Sequence, residues 1–145
     1  IRLTGYNLES SIKDALAAAA EISDYIVEMK LSFSTLKDND LSNLSKFNNL
    51  EKLWLDHTGI TDNSLKQVRA LENLHYLNIV GTNATVNGLR DLMQMPNLNK
   101  IYAQGIKITT DEKFALQEVQ SNTKLYFGDS MKSAITDTLF VKKAE

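Results

Sequence analysis

One stretch, LEKLWLDHTGIT at residues 50–61, returns twice with its apolar positions intact: LHYLNIVGTNAT begins at Leu74 and LNKIYAQGIKIT at Leu98, each copy 24 residues after the last. A fixed period of this length requires stacked, similar units, each touching mainly its neighbours, and so excludes most closed globular folds. The same ruler reaches back to Ile26, where Met29 and Leu31 keep the pattern. It also reaches forward to Asn122, where Leu125 and Phe127 keep it but the first apolar residue is lost. Five turns fit the period without an insertion.

Within each copy the last two apolar residues alternate with polar ones, as a strand with one buried face requires. Leu53/Leu55, Leu77/Ile79 and Ile101/Ala103 therefore point inward. A single strand of this kind cannot stand alone, and stacking the copies gives a parallel sheet with the rest of each repeat returning the chain to the next strand. The L-x-x-L-x-L wording, with a polar residue two places beyond the strand and a period inside the 20–29 range, resembles the leucine-rich repeat family over about residues 26 to 145. That resemblance implies an α/β solenoid with a five-turn parallel sheet on the concave side, short helices on the convex side and a helical cap at the N-terminus. The expected division is a cap over 1–25, repeats over 26–128 and a C-terminal cap over 129–145, all in one domain.

The cap is read from residues 8–23, LESSIKDALAAAAEIS, where Leu8, Ile12, Ala15, Leu16, Ala19 and Ile22 recur at three- and four-residue spacing behind Asn7 as N-cap. A membrane-surface role for this helix is disfavoured by Glu9, Asp14 and Glu21, the wrong polar face for anionic lipid. Further along, a Ser or Thr follows each strand, at Ser34, Thr58, Thr82 and Ser130 with Ile106 as the exception. The resemblance implies that these hydroxyls bond backbone groups of neighbouring turns. Three places on, Thr61, Thr85, Thr109 and Ser133 sit where helix N-caps belong, and Thr109 with Glu112 has capping-box spacing. Convex helices are expected near 63–70, 87–94 and 111–120, the last rotated or shifted by a residue because Lys113 fills the slot of Leu65 and Leu89. Pro96 ends the third return segment.

The informative surface is the sheet face opposite the leucines. One outward column runs Lys30, Trp54, Asn78, Tyr102, Tyr126; a second runs Glu28, Lys52, Tyr76, Lys100, Lys124; a third runs Ser32, Asp56, Val80, Gln104, Gly128. Side chains in a column are neighbours, since parallel strands lie about 4.8 Å apart. Exposed aromatics beside lysines offer rigid contact area, hydrogen-bonding tips and cation–π partners. The expected partner-binding residues are accordingly Lys52, Trp54, Asp56, Tyr76, Asn78, Lys100, Tyr102, Gln104, Lys124 and Tyr126. The competing reading is that these aromatics pack on one another and serve the sheet alone.

Chemistry is otherwise thinly encoded. There is no cysteine, which removes disulfides, thiolate catalysis and sulfur-rich metal sites. His57 and His75 are read as lone surface histidines, because no close H-x-x-x-H spacing gathers a metal site around them. G-x-S-x-G, Walker and dinucleotide-binding patterns are missing, and Asp38, Asp62 and Asp111 are placed by helix starts. No catalytic, metal or cofactor-binding residue is assigned. A net charge of −2 argues against counterion-driven nucleic-acid binding, and no run of apolar residues is long enough to span a bilayer.

The expected function is a non-catalytic interaction module whose concave sheet binds a protein or another domain of its own chain. Glycan binding through Trp54, Tyr102 and Tyr126, with Asn78, Asp56 and Gln104 as polar groups, is the first alternative, and a passive spacer is the second. The I-T-D-x-x-L wording looks like bacterial cysteine-free repeats, including those appended to membrane-anchored c-type cytochrome proteins. That likeness implies an extracytoplasmic or membrane-associated parent, with any haem outside this chain, which lacks C-x-x-C-H. Because the chain opens at Ile1, a piece of a longer protein is expected, with self-association through the fifth strand's edge.

Overall fold

The computed structural model describes residues 1–4, 12–119 and 121–128. Among the described residues six short strands form one parallel sheet in chain order: β1 (Arg2–Thr4), β2 (Glu28–Lys30), β3 (Lys52–Trp54), β4 (Tyr76–Asn78), β5 (Lys100–Tyr102) and β6 (Lys124–Tyr126). The sheet thus has one strand more than the five expected. Arg2 pairs with Glu28 and Leu3 with Met29, a step of 26 residues that a 24-residue ruler passes over. From β2 onward every step is 24 residues, as in Met29↔Leu53↔Leu77↔Ile101↔Leu125.

Backbone pairing continues past each three-residue strand. The amides of Leu31, Leu55, Ile79 and Ala103 donate to Trp54, Asn78, Tyr102 and Tyr126 carbonyls at 2.8–2.9 Å. Leu53, Leu55, Leu77, Ile79, Ile101 and Ala103 are all fully buried, and Leu125 nearly so. Phe127 is only half-buried, with the Lys113 ammonium 5.4 Å from its ring centre.

The return segments differ in form but not in register. α2 (Asp62–Val68), α3 (Val86–Leu92) and α4 (Thr110–Gln117) begin 24 residues apart, and the segment between β2 and β3 uses 3₁₀ turns at Asp38–Leu41 and Leu44–Lys46 instead. The expected shift in the last helix does not occur. Its N-cap is Thr109, in step with Thr61 and Thr85, and Leu116 is buried in the slot of Val68 and Leu92. Phe114 is left outside, 57% exposed, because the cap fixes the helix rather than the search for apolar contact. The N-terminal helix α1 (Ile12–Ala19) buries Ile12, Leu16 and Ala19 and passes into a 3₁₀ turn at Ala20–Tyr25. Ala15 and Ile22 face out, the latter because its φ of −120° leaves helical geometry. Since β1 precedes it, α1 lies between two strands as the other return segments do. Asn7, Leu8, Ser130, Ser133 and the expected C-terminal cap lie outside the described residues.

Polar links tie the turns together, by routes the sequence only partly announces. Ser34, Thr58 and Thr82 donate to the carbonyls of Leu31, Leu55 and Ile79, so these hydroxyls close their own turn and do not bridge to the next. Bridging falls to Asn49, Asn73 and Asn97, whose amides donate to the carbonyls of Asp24, Asn48 and Glu72 in the preceding turn. The helix-start aspartates also reach across. Asp38 accepts from the backbone amides and hydroxyls of both Thr61 and Ser64, and Asp62 from the amide and hydroxyl of Thr85. Each therefore caps the helix of the following turn. Val86 ends the series, and Thr109 is capped within its own helix by Glu112.

Candidate partner-binding face

The apolar residue at the centre of each three-residue strand is buried on one side, which turns the first and third residues to the other, and the parallel register lines these up. Lys30, Trp54, Asn78, Tyr102 and Tyr126 form one row of direct partners, with Glu28, Lys52, Tyr76, Lys100 and Lys124 forming the next. β1 adds Thr4 and Arg2 to the two rows.

The aromatics make a continuous zigzag. Trp54 and Tyr76 have ring centres 4.9 Å apart, Tyr76 and Tyr102 are 5.3 Å apart, and Tyr102 and Tyr126 stack at 4.6 Å with planes 11° apart. At the far end the Lys30 ammonium lies 4.5 Å from the Trp54 ring centre. These rings pack on one another, so Trp54, Tyr76 and Tyr102 are half-buried and Tyr126 alone counts as exposed, at 38%. That is less exposure than strand alternation suggests, because neighbours in a column shield each other's faces. Burial raises the Tyr76 phenol above its ordinary pKa, with the adjoining Tyr102 and Asp56 acting in the same direction.

The polar members divide into committed and uncommitted groups. Glu28 sits between Arg2 and Lys52, at 2.5 and 3.1 Å, and the hydrogen bonds from Lys52 and then Arg2 hold its carboxyl below the usual range. Asp56 is 8% exposed and its Oδ1 accepts from Ser32 Oγ at 2.6 Å and Asn78 Nδ2 at 3.1 Å, so it orients neighbours more than it presents a charge. Asn78 Oδ1 in turn accepts from the Val80 amide. By contrast Lys100, Lys124 and Gln104 are exposed, and neither lysine forms an ion pair among the described residues.

A second aromatic contact stands at the end of the strands. Phe33 and His57 stack with ring centres 4.3 Å apart, and both have left-handed backbone, with φ of 55° and 54°. In the following turns the equivalent position is Gly81 and then Gly105, also at positive φ. A side chain at Gly81 would meet the His57 ring at 2.8 Å, which gives glycine there a steric reason besides its backbone angle. His75 lies apart from His57, its Nδ1 2.9 Å from the Asn97 carbonyl. Among the described residues no cluster of three metal-ligating side chains forms, and no helix is long and apolar enough to cross a membrane. Phe33 carried no signal in the repeat pattern, because its slot changes residue type from turn to turn, to His57, Gly81 and Gly105.

No protein-family model and no curated protein matches the chain. Solved structures do. An internalin (inlF) of Listeria monocytogenes superposes with a TM-score of 0.57 at 18% identity, covering 85% of this chain and 32% of that one. An internalin C2 (inlC2) of the same organism superposes at 0.55 with 22% identity, covering 86% and 48%. The chain thus spans less than half the length of either. At these identities the likeness is one of architecture, and it agrees with the register of the sheet: the fold is an α/β leucine-rich-repeat solenoid.

Proposed function

We propose that the chain is a non-catalytic interaction module that binds a protein, or another domain of its parent chain, on the concave sheet face. The observation that supports this reading is the zigzag of Trp54, Tyr76, Tyr102 and Tyr126, flanked by exposed lysines. Aromatic rings with polar tips give large contact area at small cost in side-chain entropy, which is why such residues dominate binding energy at interfaces. The similarity to internalins is consistent with a protein partner. Gln104 and the three exposed lysines of this face, with the rings, complete the proposed contact set. Asp56 and Asn78 belong to it as supports that fix the surface around them.

A spacer is the second reading, favoured by the mutual packing of the rings, which already stabilises the sheet. The glycan reading is weaker, since Asn78 and Asp56, two of its three polar groups, are spent on each other and on Ser32 and Val80. An extracytoplasmic parent of the cytochrome-linked kind rests on the wording of the repeats alone, and reading the coding sequence on both sides tests it. The decisive comparison for binding is calorimetry with the parent's adjoining segments on Trp54→Ala and Tyr102→Ala. A binding face loses on the order of 2 kcal/mol of affinity or more with each. A spacer keeps its affinities and loses only melting temperature.

A further inference from the structure

The concave face carries a charge opposite to that of the chain. Overall the formal charge is −2, yet the two strand rows and the row beyond them hold five cations, Arg2, Lys30, Lys52, Lys100 and Lys124, against Glu28 and Asp56. Both carboxylates are used internally, Glu28 by Arg2 and Lys52 and Asp56 by Ser32 and Asn78. Lys30 lies over Trp54. What remains is the pair Lys100 and Lys124, direct partners on adjacent strands, both exposed, beside the stacked rings of Tyr102 and Tyr126.

Like charges directly opposite on neighbouring strands destabilise a sheet. At the same register position three strands earlier, the sheet solves this problem by setting Glu28 against Lys52. The pair at the other end is left unsolved, a cost to the free chain that an anionic partner would reverse. From Lys52 to Lys124 is three strand spacings, about 14 Å, the reach of four or five residues of extended chain. Tyr76 and Tyr102 lie along that path.

We infer that the partner segment docking on this face is acidic: an extended stretch with carboxylates a few residues apart, seated on Lys100 and Lys124 and running over the tyrosines toward Lys52. This rests on the concave-face reading above and specifies its partner. Steering by the lysines would speed encounter and make it salt-sensitive, while the rings supply contact area.

The test selects binders from a random decapeptide display library on the intact chain. It then measures each by the fluorescence of Trp54, the only tryptophan and one that lies on the concave face. A labelled glutamate decapeptide, a glutamine decapeptide and a thymidine decanucleotide are measured alongside. The inference expects selected sequences rich in Asp and Glu that perturb Trp54, weaken as salt rises, and lose more than tenfold in affinity with Lys100→Glu or Lys124→Glu. It also expects either variant to melt at the same temperature as the parent or higher, since each replaces a like-charge pair by an opposite one. Equal binding of the glutamine peptide, tighter binding of the oligonucleotide, or unaltered affinity in the charge-reversed variants would overturn it. Neutral binders that perturb Trp54 and fail on Tyr102→Ala would overturn the acidic partner but leave the concave face standing. Binders indifferent to both Trp54 and Tyr102, or no binders at all, would remove the two together.

Discussion

Asp38 ties two successive turns together through four hydrogen bonds, and its removal gives a graded test of how the solenoid is held. Its carboxylate accepts from the Thr61 amide at 2.8 Å and hydroxyl at 2.7 Å, and from the Ser64 amide at 3.2 Å and hydroxyl at 2.5 Å. Ser64 is wholly buried, so Asp38→Ala strands a hydroxyl and two helix-start amides that water does not easily reach. Hydrogen bonds to a charged group contribute roughly 1.5–3 kcal/mol, and an N-cap about 1, with strong overlap between the two, so a total near 3 kcal/mol is expected. Asp62→Ala removes only the two bonds to Thr85, an exposed residue, and should cost about 1 kcal/mol. Urea unfolding followed by Trp54 fluorescence measures both. Equal costs, or an Asp38→Ala cost under about 0.5 kcal/mol, would refute the clamp and place the stability of these turns in the apolar core alone.

The same site predicts an acid response. Burial by itself would raise the Asp38 pKa, but the hydroxyls of Ser64 and Thr61 and then their amides outweigh it, and the carboxyl is held below its ordinary value. A folded-state pKa below the unfolded one means stabilisation present in full above the unfolded pKa and lost as pH falls through the folded one. Urea midpoints should therefore fall less on acidification in Asp38→Ala than in the parent. Leu77→Ala, in the centre of the fully buried row, should cost about 2–5 kcal/mol by transfer and cavity effects, read from the same curves. At Gly88 an added Cβ would strike Asp62 Oδ1 and approach Leu65 Cδ1, yet Ser64 holds the equivalent place by donating to Asp38. Gly88→Ser should consequently be more stable than Gly88→Ala by about 1 kcal/mol, the worth of one hydrogen bond.

The repeat was legible because its cause is local and periodic. One buried face per strand forces Leu53, Leu77 and Ile101 into the same slot, and the threonines at 61, 85 and 109 repeat because every return helix leaves free amides at its start. β1 was not legible, since its 26-residue step breaks the period and Arg2–Thr4 contains one apolar residue. The asparagine bridges at 49, 73 and 97 keep the period but carry no hydrophobic signal, so polar repetition would have had to be sought for its own sake. The members of the concave face were readable from alternation. Their packing was not, because ring orientation depends on neighbours in three dimensions, and neither was the burial of Asp56 under Ser32 and Asn78. The expected pairing at the edge of β6 adjoins residues outside the described set.

Site-specific photocrosslinking tests the binding face most directly. A benzophenone amino acid is placed at Tyr102 on the concave side or at Phe114 on the convex side, and the full-length parent is irradiated in the cell that makes it. Phe114 is the stringent control, being a large apolar residue that is more exposed than any ring of the zigzag described above. A concave binding face predicts a discrete protein adduct from position 102 and none from position 114. An adduct from 114 alone, or equal labelling from both, would contradict it.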